Sequence, residues 1–225
     1  MSVTPLSTIL AEMRAATAAS GHTEASLLAV SKTQPAEAVA ALAAQGQRAF
    51  GENYVQEAAS KIEALQDLAL EWHLIGHLQS NKADIAARIF QWVQSVDRLK
   101  LVQALARHRP AEMPPLNVLI QVNIDDEASK HGCSPDQVEE LAAAISSQPQ
   151  LRLRGLMAIP APHPQREQRL AAFSAMRQLF DSLQAHYPQL DTLSMGMSAD
   201  FADAIHSGAT MVRIGSALFG ARPAR

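Results

Sequence analysis

The sequence is short of several things, and each shortage excludes something. One cysteine, Cys133, stands in 225 residues, so no internal disulfide can form and a reducing, cytoplasmic setting is expected. Positive charge is not in surplus: 19 basic against 22 acidic residues leave a net charge of −3, and no global field favours nucleic acid. No apolar run is long enough to span a bilayer. Residues 1–20 carry Glu12 and Arg14 among short apolar side chains, not a basic segment leading into an apolar one, so neither export nor membrane insertion is expected. The first apolar run ends in Ser31-Lys32-Thr33, not in a glycine-rich dinucleotide turn. No residues have metal-ligand spacing either. On an extended strand His73 and His77 would stand ~13 Å apart, against ligand bonds of ~2 Å, and no cysteine or carboxylate completes a set.

What the sequence does have is a regular alternation. Short apolar runs at 26–31, 48–51, 72–76, 92–96, 116–122, 154–159, 192–195 and 211–214 read as strands. Segments with helical spacing lie between them, at 35–44, 55–65, 99–106, 135–146 and 165–186. Pro35 and Pro135 suit first-turn positions, where a missing N–H costs nothing. Strands that alternate with helices pair in parallel through crossovers. Eight such units match a (β/α)8 TIM barrel, for which ~250 residues is typical and ~200 the lower end. The chain is 48% hydrophobic, enough for one core, and no linker or repeat divides it, so a single domain over 1–225 is expected. Little chain follows the last run, and a helix over 5–19 is expected to stand in for the missing outer one. A doubly wound sheet is the alternative fold.

Barrels of this kind work at the C-terminal ends of their strands, with phosphate commonly held after the seventh and eighth. Lys32 ends the first run, while Ser194-Met195-Gly196-Met197-Ser198 and Val212-Arg213-Ile214-Gly215-Ser216 belong to the last two. Closing the barrel makes the first and eighth strands neighbours, so the amine and these turns converge. Gly196 and Gly215 would let backbone N–H groups approach an anion, and Ser198 and Ser216 read as the starts of short helices. A lysine bonds to an aldehyde only as its neutral amine, which burial or nearby positive charge favours against an ordinary pKa of ~10.4. An amine beside a phosphate cradle is what pyridoxal 5′-phosphate (PLP) needs. Arg213, a costly charge inside an apolar run, would donate to the ring nitrogen; its structural alternative is a salt bridge to Asp200 or Asp203. Glu52 and Asn53 end the second run and are candidate wall residues, with helix capping the alternative for Asn53. His73 is a candidate to point into the pocket. Taken singly, each feature has a plainer counterpart: a snorkelling lysine, capping serines, turn glycines. The charged segment 123–132 reads as a lid or a solvated turn.

Several motifs, in order, carry a resemblance. They are Ala29-Val30-Ser31-Lys32-Thr33, Phe50-Gly51-Glu52-Asn53-Tyr54, Trp72-His73-Leu74-Ile75-Gly76 with Leu78-Gln79-Ser80-Asn81-Lys82, Gly155-Leu156-Met157, and the two glycine–serine motifs above. Together they resemble the pyridoxal phosphate homeostasis protein family, single-domain relatives of the alanine racemase barrel without its C-terminal β-domain. The resemblance implies an internal aldimine of PLP on Lys32. It also implies a phosphate lying against Ser194, Ser198, Gly215 and Ser216, with Arg213 near the pyridine nitrogen. It further implies a protein that binds, protects and hands on PLP, with PLP-dependent apoenzymes as recipients and vitamin B6 and amino-acid balance as the setting, without established turnover. Lacking the β-domain, a monomer is expected. The alternatives are a PLP-dependent racemase and a lysine-imine aldolase. A racemase needs an acid–base group on each cofactor face, and only Tyr54 and Tyr187 are available as tyrosines, with Tyr54 expected to be packed.

Overall fold

The computed structural model describes residues 3–125, 127, 131–161, 163 and 165–220. Eight strands run in chain order: β1 (Ser26–Val30), β2 (Ala49–Glu52), β3 (Glu71–Leu74), β4 (Trp92–Val96), β5 (Leu116–Val122), β6 (Leu151–Ala158), β7 (Thr192–Met197) and β8 (Met211–Ile214). Each pairs in parallel with the next and β8 returns to β1, closing a barrel. The helices are α1 (Leu6–Ser20), α2 (Ala36–Ala44), α3 (Val55–Ala64), α4 (Ala83–Ile89), α5 (Leu99–His108), α6 (Val138–Ser146), α7 (Arg166–His186), α8 (Phe201–His206) and α9 (Ser216–Phe219). This is the (β/α)8 architecture. α1 packs against α8, and the Thr4 N–H just before it donates to the Ala217 carbonyl at 2.7 Å, tying the start of the chain to α9. Among the described residues no helix is long and apolar enough to cross a membrane.

Both faces of the strands are buried, which is why they read as apolar runs without polar alternation. Leu27, Ala29, Phe50, Trp72 and Val93 join the main core beneath the helices, whereas Leu28, Val30, Ile75 and Met211 meet inside the barrel. Trp92, Leu119 and Met157 form a second interior cluster. The interior is not wholly apolar: His73, Gln94, Gln121, Ser194 and Arg213 are also buried.

Two elements differ from their sequence reading in instructive ways. β6 begins at Leu151 and not at residue 154, because Arg152 and Arg154 alternate with buried Leu151 and Leu153. Arg154 lies over the Trp92 ring at 4.5 Å, donates to Asn117 Oδ1 at 3.0 Å and pairs with Asp191, so the charge is accommodated within a strand. Ser198 does not start a helix. α8 begins at Phe201 behind Asp200, whose carboxylate accepts the Met197 N–H at 2.6 Å and thereby shapes the turn after β7. Residues 126 and 128–130 of the charged segment after β5, and with them its reading as a lid or turn, lie outside the described residues.

Candidate functional site

The turn after β1 carries Lys32, half-buried, onto a cavity of about 350 Å³ at the C-terminal mouth of the barrel. Asn53 from the end of β2, Ser198 after β7, Arg213 of β8, and Gly215 and Ser216 after β8 line the same cavity. Residues far apart in the chain meet here because β8 pairs with β1, placing Leu28 opposite Arg213 and Ala29 opposite Ile214. The backbone N–H groups of Ser198, Ala199, Gly215 and Ser216 make no hydrogen bond to another described residue. They are donors available to an anion. Asn53 is positioned by close contact: a Cβ at Gly76 would lie 2.2 Å from the Asn53 carbonyl oxygen, so only glycine lets β3 end against it. The helix-capping alternative for Asn53 does not hold, since Tyr54 occupies the N-cap position of α3.

Arg213 is only 3% exposed, and burial pushes its guanidinium down to about 10, with Asp200 acting in the opposite direction. It donates to Ser194 Oγ at 2.8 Å and to the Ala158 carbonyl at 2.8 Å. A guanidinium has five donors, so this leaves others on a side chain that lines the cavity. Asp203 is engaged elsewhere, by Arg166 at 2.9 Å and Arg169 at 3.2 Å, and no described carboxylate is in ion-pair contact with Arg213. The salt-bridge alternative is therefore set aside.

Three sequence-predicted site residues lie beneath the cavity and do not line it. His73 is fully buried, stacked on Trp92 at 5.0 Å, and bonded to Glu71 and Gln94. Strand side chains alternate, so the next residue on the same face is Ile75, just past the end of β3 and about 6.6 Å higher at ~3.3 Å per residue. Ile75 takes the lining position instead. Ser194 is likewise buried, donating to Gln94 Oε1 at 2.8 Å while accepting from Arg213. Gly196 has φ +91, and a Cβ there would lie 2.5 Å from the Ala204 Cβ; its smallness serves the packing of α8 against β7.

These residues form a column through the barrel. Glu71 Oε1 meets His73 Nε2 at 2.9 Å, His73 Nδ1 meets Gln94 Nε2 at 2.9 Å, and Gln94 Oε1 leads through Ser194 to Arg213. The hydrogen bond from His73 holds the Glu71 carboxyl below its ordinary range, while burial pushes the His73 imidazole down against the pull of Glu71. An anionic Glu71 beside a neutral His73 assigns the ring proton to Nε2. Nδ1 then accepts from the Gln94 amide, and every link has one orientation.

Glu52 is not a wall residue. It is fully buried, accepting from Ser31 Oγ at 2.6 Å and from Lys61 Nζ at 2.8 Å; burial pushes its carboxyl up, against both of these hydrogen bonds. Tyr54 is not packed as expected but 56% exposed. It lines a neighbouring cavity of about 480 Å³ with His77, Lys82 and His131. His77 stacks on His131 at 4.0 Å and faces Asp97 at 3.7 Å. Among the described residues no three His, Cys, Asp or Glu side chains are grouped to hold a metal. The sequence reading missed Lys61 and Gln94. Lys61 follows Glu57 by four residues and looks like a surface helix pair, and Gln94 is a lone amide in a short strand; the only signal was a polar residue in a run otherwise fit for burial.

The sequence profile described as the alanine racemase N-terminal domain matches residues 6–223. A protein of Pseudomonas aeruginosa named pyridoxal phosphate homeostasis protein is 55% identical over 216 residues, 95% of this chain and 93% of its own. One of the same name from Escherichia coli (strain K12) is 54% identical over 202 residues, 88% of this chain and 86% of its own. The solved structure of PipY from Synechococcus elongatus PCC7942 with PLP bound is 37% identical, with a TM-score of 0.81 over 94% of this chain and all of that one. The chain belongs to the alanine racemase N-terminal-domain family, in the branch of the pyridoxal phosphate homeostasis proteins.

Proposed function

We propose that the chain binds pyridoxal 5′-phosphate at the barrel mouth, carries it covalently on Lys32, and serves intracellular handling of the cofactor without a turnover of its own. The observation that carries this reading is that Lys32, Arg213 and the turn residues Ser198, Gly215 and Ser216 line one cavity. Its volume of about 350 Å³ falls within the roughly 300–1,000 Å³ of small-ligand sites. The cofactor supplies an aldehyde and an electron-withdrawing ring. Lys32 would hold the cofactor through its neutral amine at the aldehyde carbon, the aldehyde oxygen leaving as water with the two amine protons. Backbone N–H groups at Ser198, Gly215 and Ser216 receive the phosphate, and Arg213 donates to the ring nitrogen. Asn53 forms the wall opposite. Ser194 steers Arg213 from behind, His73 anchors Ser194 through Gln94, and Gly196 keeps the β7 turn seated on α8. The relatives' name supports a role in PLP homeostasis; in this proposal the chain acts in the cytoplasm as a monomer and releases cofactor to PLP-dependent apoenzymes.

The racemase reading has less support. A tyrosine as its second acid–base group is not at the cavity: Tyr54 lines the neighbouring cavity and Tyr187 caps the far end of α7. An aldolase would need a carboxylate at the amine, and Glu52 is turned into its bonds with Ser31 and Lys61.

The test is direct. The purified protein incubated with PLP should be yellow, and borohydride reduction should leave the pyridoxyl label on Lys32. Lys32→Ala should be colourless. Label on another lysine would overturn the assignment, and sustained racemisation of common amino acids that disappears in Lys32→Ala would replace the carrier by an enzyme.

A further inference from the structure

Lys61 lies outside the cavity, in α3, yet its ammonium reaches the turn that carries Lys32. It is 8% exposed and donates three hydrogen bonds: to the Ser31 carbonyl at 2.7 Å, to Glu52 Oε1 at 2.8 Å and to Glu57 Oε1 at 2.7 Å. Those three bonds use all the donors of an ammonium. The same Glu57 oxygen accepts the Thr33 N–H at 2.5 Å, and the same Glu52 oxygen accepts the Ser31 hydroxyl. The Ser31 carbonyl belongs to the peptide plane before Lys32 and the Thr33 N–H to the plane after it. With both planes held, the backbone dihedrals of Lys32 are set.

The turn also holds a conformation the chain would not choose. Thr33 has φ +66, in the left-handed region, where a β-branched residue is rare. Such a residue persists only where its surroundings over-determine it, and such sites concentrate at functional positions. Here the surroundings are the Gln34 N–H, which closes the turn on the Ser31 carbonyl at 3.0 Å, and the Lys61 cluster, which holds that same carbonyl and the Thr33 N–H.

We propose that Lys61, together with Glu52 and Glu57, is the positioning group of Lys32: it clamps the peptide planes on both sides of Lys32 so that the amine leaves β1 toward the cavity before any ligand arrives. The inference rests on the reading of Lys32 as the bond-forming amine. Glu57 is the member to test, because its side chain is 26% exposed and its removal leaves Lys61 paired with buried Glu52.

Cofactor-stripped protein would be mixed with PLP and the rate of the visible band followed. Affinity for pyridoxine 5′-phosphate, which has no aldehyde and cannot bond to Lys32, would be measured in parallel. In Glu57→Leu, capture should slow at least about tenfold, within the ~10²-fold that a displacement of about 1 Å costs. Affinity for the aldehyde-free analogue should stay within about twofold, because the phosphate turns are untouched. Glu57→Gln keeps an acceptor for the Thr33 N–H and should recover most of the rate. Unchanged capture in Glu57→Leu, or equal losses of capture and analogue affinity, would overturn the proposal. The reading beneath it fails differently: the parent protein itself would then show no band that Lys32→Ala abolishes.

Discussion

The Lys61 cluster under the Lys32 turn and the column from Glu71 to Arg213 are both packed inside the molecule, yet they hold their charges differently. The cluster sets one ammonium against two carboxylates within 2.8 Å, one of them fully buried. The column separates its charges: Arg213 at the cavity and Glu71, 47% exposed at the opposite end, are joined only through a hydroxyl, an amide and a neutral imidazole. Cutting the first strands a charge away from water, whereas cutting the second at Gln94 strands only neutral donors and acceptors. Direct pairing therefore suits a turn that must hold strain, and an oriented neutral chain suits a cation whose remaining donors must face a ligand.

That contrast predicts an order of effects. Lys61→Met should cost most, about 3–5 kcal/mol, as expected when one partner of a buried ion pair is removed. The value should fall at the lower end, because Glu52, already pushed up by burial, can then take up a proton. Urea unfolding measures it, and a loss under about 1 kcal/mol would mean that Glu52 does not depend on that ammonium. Gln94→Leu should cost less, about 2–3 kcal/mol, because the two groups it strands, His73 Nδ1 without a donor and the Ser194 proton without an acceptor, are both neutral and fall in the lower half of the about 1–3 kcal/mol range for each. It should also weaken PLP retention on dialysis, since Arg213 loses the anchor behind Ser194; full retention would detach the column from the site.

The smallest effect is a difference in pH response. Below pH 6.5 the unfolded chain binds a proton that buried, neutral His73 resists, so stability should fall as pH drops, by at most about 1.4 kcal/mol per pH unit from one group. The depressed Glu71 adds a loss of the same sign as pH falls below 4.5 and through its folded value. Glu52 acts in the opposite direction: its raised folded pKa means that its contribution declines as pH rises above 4.5. Thermal unfolding between pH 5 and 7 should therefore slope downward toward acid in the parent and become shallower in His73→Phe, the remainder including His77, which partial burial also pushes down. An equal slope in both would place the titration elsewhere.

Much of this molecule was legible in its amino-acid order. All eight strands were found, because each is a short apolar run bounded by turn residues, and their order predicted which ends meet. Lys32, Asn53, Ser198, Arg213, Gly215 and Ser216 were read as site residues, and all six line the cavity. His73, Ser194 and Gly196 lie deeper and do not line it. Alternation says which face of a strand a side chain occupies, but not which layer of the barrel it reaches, and Ile75, just past β3, rather than His73 lines the cavity. α4 passed unassigned because seven residues carry too little periodicity to stand out, and α8, only six residues long, was placed to start at Ser198 and not at Phe201.

By itself the sequence determined the barrel and the kind of chemistry at its mouth, since burial on both strand faces and turns rich in glycine and serine are local properties of the chain. Only the tertiary structure decided how the reactive residues are held. A lysine that looks like part of a surface helix pair became the clamp on Lys32, and a glutamine in mid-strand became the link behind Arg213. The reason is that desolvation, not residue type, makes such a contact strong, and how far water is excluded is settled only when distant strands and helices close together.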